Sequence, residues 1–545
     1  MKTFSAQTRT ENLLSLKQNK FDLVIVGGGI LGAGIARDAA SRGMKVALVE
    51  KSDFASGTSS RSSKLIHGGI RYLENLEFGL VFEALNEREK LYELAPHLVH
   101  PLRFLLPIYE NSRVGYFKMG LGMFLYDILA LFQSGLHERL DAEQTATRMP
   151  WIKKDGLVGS FVYSDAYMDD DRLVMETLRS AHELGAIVSN YTQAKTAVFD
   201  AEGKIIGIGA QDQLDKKNEF QIYGKHVISC VGAWTDEVAP ILEKNWKKSL
   251  RPTKGIHITL SRERLPLPEA VVMAVDKENR IVFGIPRHEM IIIGTTDTDF
   301  KETPDNVVAN ADDVHYLLKI ANEYFPGANL TTGDIIATYA GVRPLVDDGA
   351  KTEGKTSREH KIITTEHGTT FVMGGKYTTY RRISEQALLE ALKHFSTVDQ
   401  VGFASNQTET PLNPFCSSEN YQRALTLCDS WSRQFHLSLE DTYKLALRHG
   451  METETLLAMG HKLSLTRIEV EFLHALRNTM CINLVDFYTR RYPLFLAEPN
   501  HGLEWLDLLG MLAQNELDWS QEELEVQKLA VKNHIARELA WHKNI

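Results

Sequence analysis

The sequence has few cysteines and no cysteine pair with metal-binding spacing. Only four of the 545 residues are cysteines, Cys230, Cys416, Cys428 and Cys481, and no C-x-x-C occurs among them. This scatter excludes a disulfide framework and a cysteine zinc site, so we expect a reducing compartment and no bound metal. Residues 1–20 mix charged and polar side chains without an apolar core, which is not the pattern of a secretory signal. We therefore expect a protein that stays in the cytoplasm.

Positive charge is also in short supply. Lys and Arg number 61 against 71 Asp and Glu, which gives a formal charge of −10. Such a chain does not coat nucleic acid through charge alone, so any anion site must be local. Hydrophobic residues make up 43% and charged residues 24%, the composition of a globular protein. Wholesale disorder and a lone small binding module are both excluded.

Long hydrophobic runs are missing as well. The longest apolar stretch, residues 114–132, is interrupted by Lys118 and Asp127 and contains three glycines. Charges and glycines make it a poor transmembrane span. Two alternatives stay open: a segment that lies in a membrane surface, or a helix buried in the protein core.

Short β-rich runs alternate with helical stretches up to about residue 395, which predicts an α/β body without a fixed-period repeat. The predicted strands are 22–26, 45–49, 186–188, 224–231, 256–260, 280–285, 290–294 and 369–373. The predicted helices of this body include 30–42, 80–94 and 171–184. We divide the chain into an N-terminal extension (1–20), an α/β body (21–396) and a helical C-terminal domain (410–545). Helices of the last are predicted at 419–434, 439–449, 465–481 and 520–542.

A glycine motif stands between the first predicted strand and the first predicted helix of the body. It reads Gly27-x-Gly29-x-x-Gly32, and Glu50 closes the next strand 18 residues later. In such a motif the first glycine permits a tight turn, the second admits a pyrophosphate to the helix N-terminus, and the third allows close helix–strand packing. Glu50 would accept hydrogen bonds from the adenosine ribose. The alternative is a structural glycine turn, but strand, helix and terminal acid together predict a dinucleotide site.

The motif does not choose between NAD and FAD, since both contain ADP. The hydroxyl-rich loop that follows can wrap an extended cofactor, although its composition also fits a solvated loop. Its candidate cofactor-binding residues are Thr58, Ser59, Ser60, Ser63 and Lys64.

From this loop onward the chain resembles the FAD-dependent glycerol-3-phosphate dehydrogenases. The resemblance begins at residues 58–73 (TSSRSSKLIHGGIRYL). The further segments that carry it are 95–97 (APH), 167–172 (YMDDDR), 254–257 (KGIH), 293–297 (IGTTD), 341–345 (GVRPL), 357–360 (SREH) and 374–381 (GGKYTTYR). The helical remainder, with 448–450 (RHG) and 486–491 (DFYTRR), is also similar to that family. Ala233 and Tyr377 depart from the family pattern without removing a functional group.

The resemblance implies a fold, an activity and partners. The fold is an FAD-binding Rossmann-like domain of the glutathione-reductase or D-amino-acid-oxidase type, interleaved with a β-rich substrate domain and followed by an all-helical domain. The activity is oxidation of sn-glycerol 3-phosphate by hydride transfer to FAD, with electrons passed to a membrane quinone. The protein would then lie on the cytoplasmic membrane as a peripheral protein, with a homodimer as one alternative for its oligomeric state. An oxygen-using oxidase, a noncatalytic nucleotide-binding scaffold and an NAD-dependent reductase are the competing interpretations.

The chemistry of alcohol oxidation selects site residues within the matched segments. His67 and His257 are candidate bases, because imidazole titrates near neutral pH. Basic and hydroxyl side chains suit a dianionic phosphate, although each arginine could instead form a surface ion pair. The resemblance implies that the substrate-binding residues are Arg71, Tyr72, Arg343, Arg358, Lys376 and Thr378, of which Arg343 and Lys376 are also candidate catalytic residues. The remaining cofactor candidates are Gly232, Gly374, Gly375 and again Lys376, near the flavin.

Overall fold

The computed structural model describes residues 1–69, 73, 77–133, 135–275, 280–347, 349 and 359–544. Its strands are β1 (Lys20–Val26), β2 (Val46–Val49), β3 (Leu65–Ile66), β4 (Val99–Tyr109), β5 (Glu138–Asp141), β6 (Leu157–Met168), β7 (Ile187–Ser189), β8 (Thr192–Phe199), β9 (Ile205–Asp212), β10 (Glu219–Ser229), β11 (Leu250–Ser261), β12 (Ala270–Val275), β13 (Arg280–Arg287), β14 (Met290–Gly294), β15 (Thr298–Asp299), β16 (Ile335–Val346), β17 (His360–Thr364) and β18 (Thr369–Gly374).

The helices of the body are α1 (Ala6–Gln18), α2 (Ile30–Ser41), α3 (Phe78–Leu94), α4 (Tyr116–Leu129), α5 (Ala142–Arg148), α6 (Asp170–Glu183), α7 (Thr235–Leu242), α8 (Ala311–Tyr324), α9 (Tyr380–Leu392) and α10 (Thr397–Gly402). The C-terminal helices are α11 (Ser418–Phe435), α12 (Leu439–His449), α13 (Glu452–Leu463), α14 (Arg467–Asn478), α15 (Leu484–Asp486), α16 (Leu494–Ala497), α17 (Leu506–Leu517) and α18 (Gln521–Glu538).

The first sheet has a parallel centre. Its order is β17-β18-β10-β1-β2-β7, and β1 pairs in parallel with β10 and with β2. An antiparallel meander, β8-β9, continues from β10. Helices α2, α6 and α9 cover one face, where Ile35, Leu178 and Ile383 are fully buried with the strand residues Leu23 and Ile25. Because parallel strands end at one edge, the turn after β1 opens into a crevice at that edge.

The second sheet is mostly antiparallel. Its order is β15-β11-β14-β13-β12-β4-β6-β3, with β16 paired to β11 and β5 to β6. Helix α8 covers one face of this sheet, and Leu317 there is buried against Ile258 and Ile293. The chain crosses between the two sheets several times, so the nucleotide-binding and β-rich parts are interleaved, which confirms the predicted fold class.

The C-terminal helices pack on the other face of the second sheet. Phe472 and Phe487 from this region share one apolar core with Phe104, Tyr163 and Ile292 of the sheet. The N-terminal segment also reaches these helices, because the backbone N–H of Phe4 donates to the carbonyl of Arg477 at 3.2 Å. A helical region follows the body as predicted, and it shares apolar contacts with the sheet.

The apolar stretch at residues 114–132 forms α4 on the surface. One side of α4 is buried through Met123, Tyr126 and Asp127, whose carboxylate accepts from His137 Nδ1 at 2.6 Å. The other side leaves Phe117 91% and Leu121 66% exposed. Among the described residues, no helix is both long and apolar enough to span a bilayer.

Candidate functional site

A cavity of about 350 Å³ opens at the carboxyl ends of β1 and β2. This volume lies within the range of small-molecule and cofactor sites. The cavity begins at the glycine turn and Glu50 and continues between the two sheets to Arg343 and Thr378. It therefore brings together residues that lie far apart in the sequence.

The glycine motif has the backbone geometry that was predicted for it. Gly27 has φ +112°, a left-handed value that favours glycine. A Cβ on Gly32 would lie 1.9 Å from the carbonyl oxygen of Gly27, so only glycine allows α2 to approach β1 this closely. Gly29 is the N-cap of α2 and, like Gly27, lines the cavity. The helix N-terminus thus faces the cavity with its backbone N–H groups and the positive end of its dipole.

Glu50 lies at the end of β2 and lines the same end of the cavity. Its carboxylate accepts from the backbone N–H of Gly28 at 2.7 Å and of Ser52 at 2.9 Å. Burial raises the pKa of Glu50 above its ordinary value, although both hydrogen bonds lower it. These bonds fix the carboxylate beside the glycine turn, where an adenosine ribose would lie if the motif binds a dinucleotide.

Only some of the predicted cofactor-binding residues in the hydroxyl-rich loop line the cavity. Thr58, Ser59 and Ser63 line the cavity, and Ser59 Oγ accepts from the N–H of Ile30 at 3.0 Å. Ser60 and Lys64 are not among the cavity-lining residues. Lys64 is fully buried, and its ammonium pairs with the carboxylate of Asp170.

Asp170 is a residue to which the sequence assigned no role. It is fully buried at the start of α6, and Ser62 Oγ donates to it at 2.7 Å in addition to the pairing with Lys64. Because a buried ammonium requires a partner, this pair anchors the hydroxyl-rich loop against α6. The available signal was its position inside the matched segment 167–172.

The far end of the cavity collects several predicted site residues. His67, Thr378 and Lys376 line it, and the backbone N–H of His67 donates to Thr378 Oγ1 at 3.3 Å. Gly374 and Gly375 also line it, with φ +70° and +93°, and they turn the chain between β18 and α9.

Arg343 projects into the cavity from β16. Its guanidinium donates to Asp297 Oδ1 at 3.1 Å, to Thr295 Oγ1 at 3.0 Å and to the carbonyl oxygen of Thr296 at 3.3 Å. The side chain is 22% exposed. The arginine is therefore held in one orientation while part of the group faces the cavity.

His257 lies behind the cavity wall and does not line it. The residue is 2% exposed, its ring stacks on Tyr339 with centroids 4.6 Å apart, and its Nε2 is 2.8 Å from Ser63 Oγ. Burial lowers the pKa of His257 well below the usual histidine value, and the positive charges of Arg343 and Lys64 lower it further. The neutral His257 ring contacts Ser63, which lines the cavity, so His257 can help to position this part of the cavity wall.

The remaining candidates divide into two groups. Gly232 lines the cavity with φ +55° in a 3₁₀ turn, Gly232–Trp234. Arg71, Tyr72 and Arg358 lie outside the described residues. Further lining residues to which the sequence analysis gave no role are Trp234, Tyr377 and Glu359, and the last two lie within matched segments.

The shape and chemistry of the cavity fit FAD. The turn at Gly27 and the packing at Gly32 are what a pyrophosphate at the N-terminus of α2 requires. From there the cavity continues past the hydroxyls to a second end, as an extended dinucleotide needs. The fold and this cavity define the class of FAD-binding α/β oxidoreductases.

Comparisons with known proteins identify the family. The family model described as FAD dependent oxidoreductase matches residues 22–381. The aerobic glycerol-3-phosphate dehydrogenase of Staphylococcus saprophyticus is 34% identical over 90% of this chain and 89% of its own length, and that of Staphylococcus aureus is 33% identical over 97% and 96%. The glycerol-3-phosphate dehydrogenase of Bacillus halodurans, solved in complex with FAD, superimposes with a TM-score of 0.81 at 27% identity, covering 98% of this chain and 99% of that one. The chain belongs to the aerobic glycerol-3-phosphate dehydrogenase family of FAD-dependent oxidoreductases.

Proposed function

We propose that the protein oxidises sn-glycerol 3-phosphate to dihydroxyacetone phosphate and passes the electrons to a membrane quinone. The observation that carries the proposal is the single cavity that joins the dinucleotide motif to Arg343, Lys376, Thr378 and His67. A phosphorylated secondary alcohol needs cations at one end and a proton acceptor at the carbinol carbon. In this proposal Arg343 and Lys376 are the cations and His67 is the acceptor, all at the far end of the cavity. Relatives that align over nearly the whole chain are named aerobic glycerol-3-phosphate dehydrogenases.

The cations hold the phosphate in this proposal. Arg343 reaches the cavity already oriented by Asp297 and Thr295, so little side-chain entropy is lost when it binds an anion. Lys376 adds a second positive charge at the same end. Because the whole chain is acidic, this local pair is what captures an anionic substrate.

The proton acceptor in this proposal is His67. His67 is one of the residues that line the cavity, whereas His257 is buried and contacts Ser63. FAD, when bound, accepts the hydride from the carbinol carbon. His67 takes the hydroxyl proton, and the loop 374–376 presents backbone N–H groups and the Lys376 charge to the region where negative charge develops.

The test of this activity is an anaerobic absorbance titration. Glycerol 3-phosphate should bleach the flavin absorbance, and glycerol, which lacks the phosphate, should not. Unchanged absorbance would contradict catalysis and favour the noncatalytic scaffold. Rapid hydrogen peroxide formation in air without an added acceptor would instead identify an oxidase.

An exposed apolar surface supports contact with the membrane that holds the quinone. We call it the apolar patch: Phe78 and Phe82 of α3 with Phe117, Leu121, Phe124 and Ile128 of α4. All six are more than a third exposed, and α3 lies beside α4. The four α4 residues recur every three or four positions, so they form one stripe along that helix. Exposed apolar side chains on two neighbouring helices are typical of a membrane or protein contact, and a lipid surface is the proposed occupant.

Vesicle sedimentation tests the apolar patch. Leu121→Glu combined with Phe124→Glu should release the protein from vesicles and lower quinone reduction, while activity with a soluble dye stays near normal. The control is Val398→Glu combined with Val401→Glu, a pair on α10 that is 82% and 74% exposed and lies outside the patch. Undiminished vesicle binding by the α4 variant would contradict membrane binding through α4 and favour a purely structural role for this helix.

A further inference from the structure

A buried ion cluster joins the C-terminal helical region to the loop that follows Glu50. Asp53, 1% exposed, accepts from both terminal nitrogens of Arg491 at 2.7 and 2.9 Å and from Arg490 Nε at 2.6 Å. Both arginines belong to a single π-helical turn, Phe487–Arg491. Two consecutive residues of the C-terminal region therefore hold one carboxylate of the nucleotide-binding part, and π-helical turns are frequent at functional positions.

The cluster pairs two carboxylates with two guanidinium groups, and two neutral side chains donate further hydrogen bonds to the carboxylates. Asp486 Oδ1 accepts from Arg490 at 2.7 Å and from the Tyr191 hydroxyl at 2.7 Å. Asn190 Nδ2 donates to Asp53 Oδ1 at 3.1 Å. Burial alone would raise the pKa of Asp53, but the charges of Arg491 and Arg490 outweigh it and lower that pKa to about 2. A charge buried this completely needs its partners in place, so the arginines fix where the Asp53 backbone lies.

The loop that contains Asp53 forms one wall of the cofactor cavity. Ala55 and Ser56 line the cavity, whereas Asp53 does not. The N–H of Ala55 donates to the carbonyl of Gly28 at 3.1 Å. A Cβ on Gly28 would lie 2.7 Å from the Phe54 ring, so this loop packs directly on the glycine turn. A shift of the loop therefore moves both the wall and the turn.

We propose that Arg490 and Arg491 are positioning residues for the adenosine end of the FAD site, acting through Asp53. In this proposal the helical C-terminal region holds the loop that contains Asp53, Ala55 and Ser56 in place against the bound dinucleotide. This inference rests on the proposed placement of the adenosine ribose at Glu50.

A second buried arginine that joins the C-terminal region to the body serves as a control. It distinguishes positioning of the FAD site from simple attachment of the two regions. Arg179 of α6 donates to Glu452 of α13 at 2.8 Å and is 2% exposed. Neither residue lines the cavity. If the arginines only attach the helical region to the body, Arg179→Lys and Arg491→Lys should have the same consequences.

The experiment measures FAD release from the purified holoenzyme after dilution, followed by the increase in flavin fluorescence. Arg491→Lys keeps the charge but loses the two-pronged contact with Asp53, so release should be about tenfold faster or more. Arg179→Lys should release FAD at the parent rate. With saturating FAD, the Arg491→Lys enzyme should recover the parent kcat and the parent KM for glycerol 3-phosphate, because the substrate end is unchanged.

The outcomes separate this inference from the site assignment beneath it. Equal release rates for Arg491→Lys and the parent, or equal acceleration by Arg491→Lys and Arg179→Lys, would overturn the positioning role. If Arg491→Lys does not purify, Arg490→Lys, which loses its contact with Asp53 Oδ2, replaces it in the same comparison. Glu50→Gln tests whether the adenosine ribose binds at Glu50. If this variant releases FAD at the parent rate, the ribose does not bind there, whatever the result for Arg491→Lys.

Discussion

Replacing Arg343 by alanine should damage substrate capture and leave FAD binding intact. The guanidinium is positioned by three polar contacts, and Arg343 lines the cavity with its side chain partly exposed. A hydrogen bond to a charged group contributes about 1.5–3 kcal/mol, and a guanidinium can offer two such bonds to a phosphate. We expect kcat/KM for glycerol 3-phosphate to fall by about 2–4 kcal/mol, which is roughly 30-fold to 1000-fold.

The assay is steady-state oxidation with a soluble dye as acceptor, with the flavin spectrum recorded for each variant. Arg343→Lys retains the charge without the planar fork, so its kcat/KM should lie between those of alanine and the parent. Arg251→Ala is the matched control, because Arg251, like Arg343, pairs with an aspartate, Asp299, but does not line the cavity. If Arg343→Ala retained the kcat/KM of the Arg251→Ala control, Arg343 would not bind the phosphate.

Three further predictions concern the base, the glycine motif and acid stability. His67→Asn should slow flavin reduction by roughly 10²–10⁴-fold in rapid-reaction traces while His257→Asn slows it far less, and the reverse ranking would assign the base to His257. Gly32→Ala should abolish flavin binding, since its Cβ would meet the Gly27 carbonyl oxygen at 1.9 Å; a yellow, fully loaded variant would contradict this packing argument. The pKa of Asp53 is lowered from 3.8 to about 2, so its ionised form should contribute about 2 kcal/mol to the free energy of unfolding above pH ~4. This contribution is lost as the pH falls toward about 2. The free energy of unfolding in urea should therefore depend less on pH in Asp53→Asn than in the parent.

The nucleotide-binding half was predictable because its signals are local. The strand, glycine turn and helix around Gly27 follow each other directly, and the helix predicted at 30–42 is found at Ile30–Ser41. In the C-terminal region the helix predicted at 439–449 is found at Leu439–His449, whereas the one predicted at 465–481 is shorter, Arg467–Asn478. Periodicity and capping residues are enough for such elements.

Strands of the second sheet were harder to predict, and β4 shows why. It contains Pro101 and Pro107, which argue against a central strand. The structure resolves the conflict, because β4 pairs with β6 along its length but with β12 only at Phe104 and Leu105. Each proline therefore lies where β4 has no β12 partner, a fact that depends on tertiary pairing.

The candidate site shows the same division. The glycine motif and Glu50 come from one continuous segment, so the spacing together with the strand and helix around it was enough to predict a dinucleotide site there. The assignments of Arg343 and His67 depended on resemblance, because the sheets bring them together from positions 276 residues apart. Asp53 left no periodic or motif signal, since an aspartate that pairs with a distant cation looks like a surface aspartate in the sequence. Asp170 was marked only by its position in the matched segment 167–172, which gave no indication of its pairing with Lys64.

The shared core beneath the C-terminal helices has a consequence for synthesis of the chain. The centre of the first sheet cannot form until β10 has followed β1 out of the ribosome, about two hundred residues later. The second sheet can then fold, but the face that includes Phe104 and Ile292 stays uncovered until the helices that bear Phe472 and Phe487 emerge. During that interval the nascent protein exposes an aggregation-prone surface, so a chain interrupted before the last hundred residues should require a chaperone to remain dispersed.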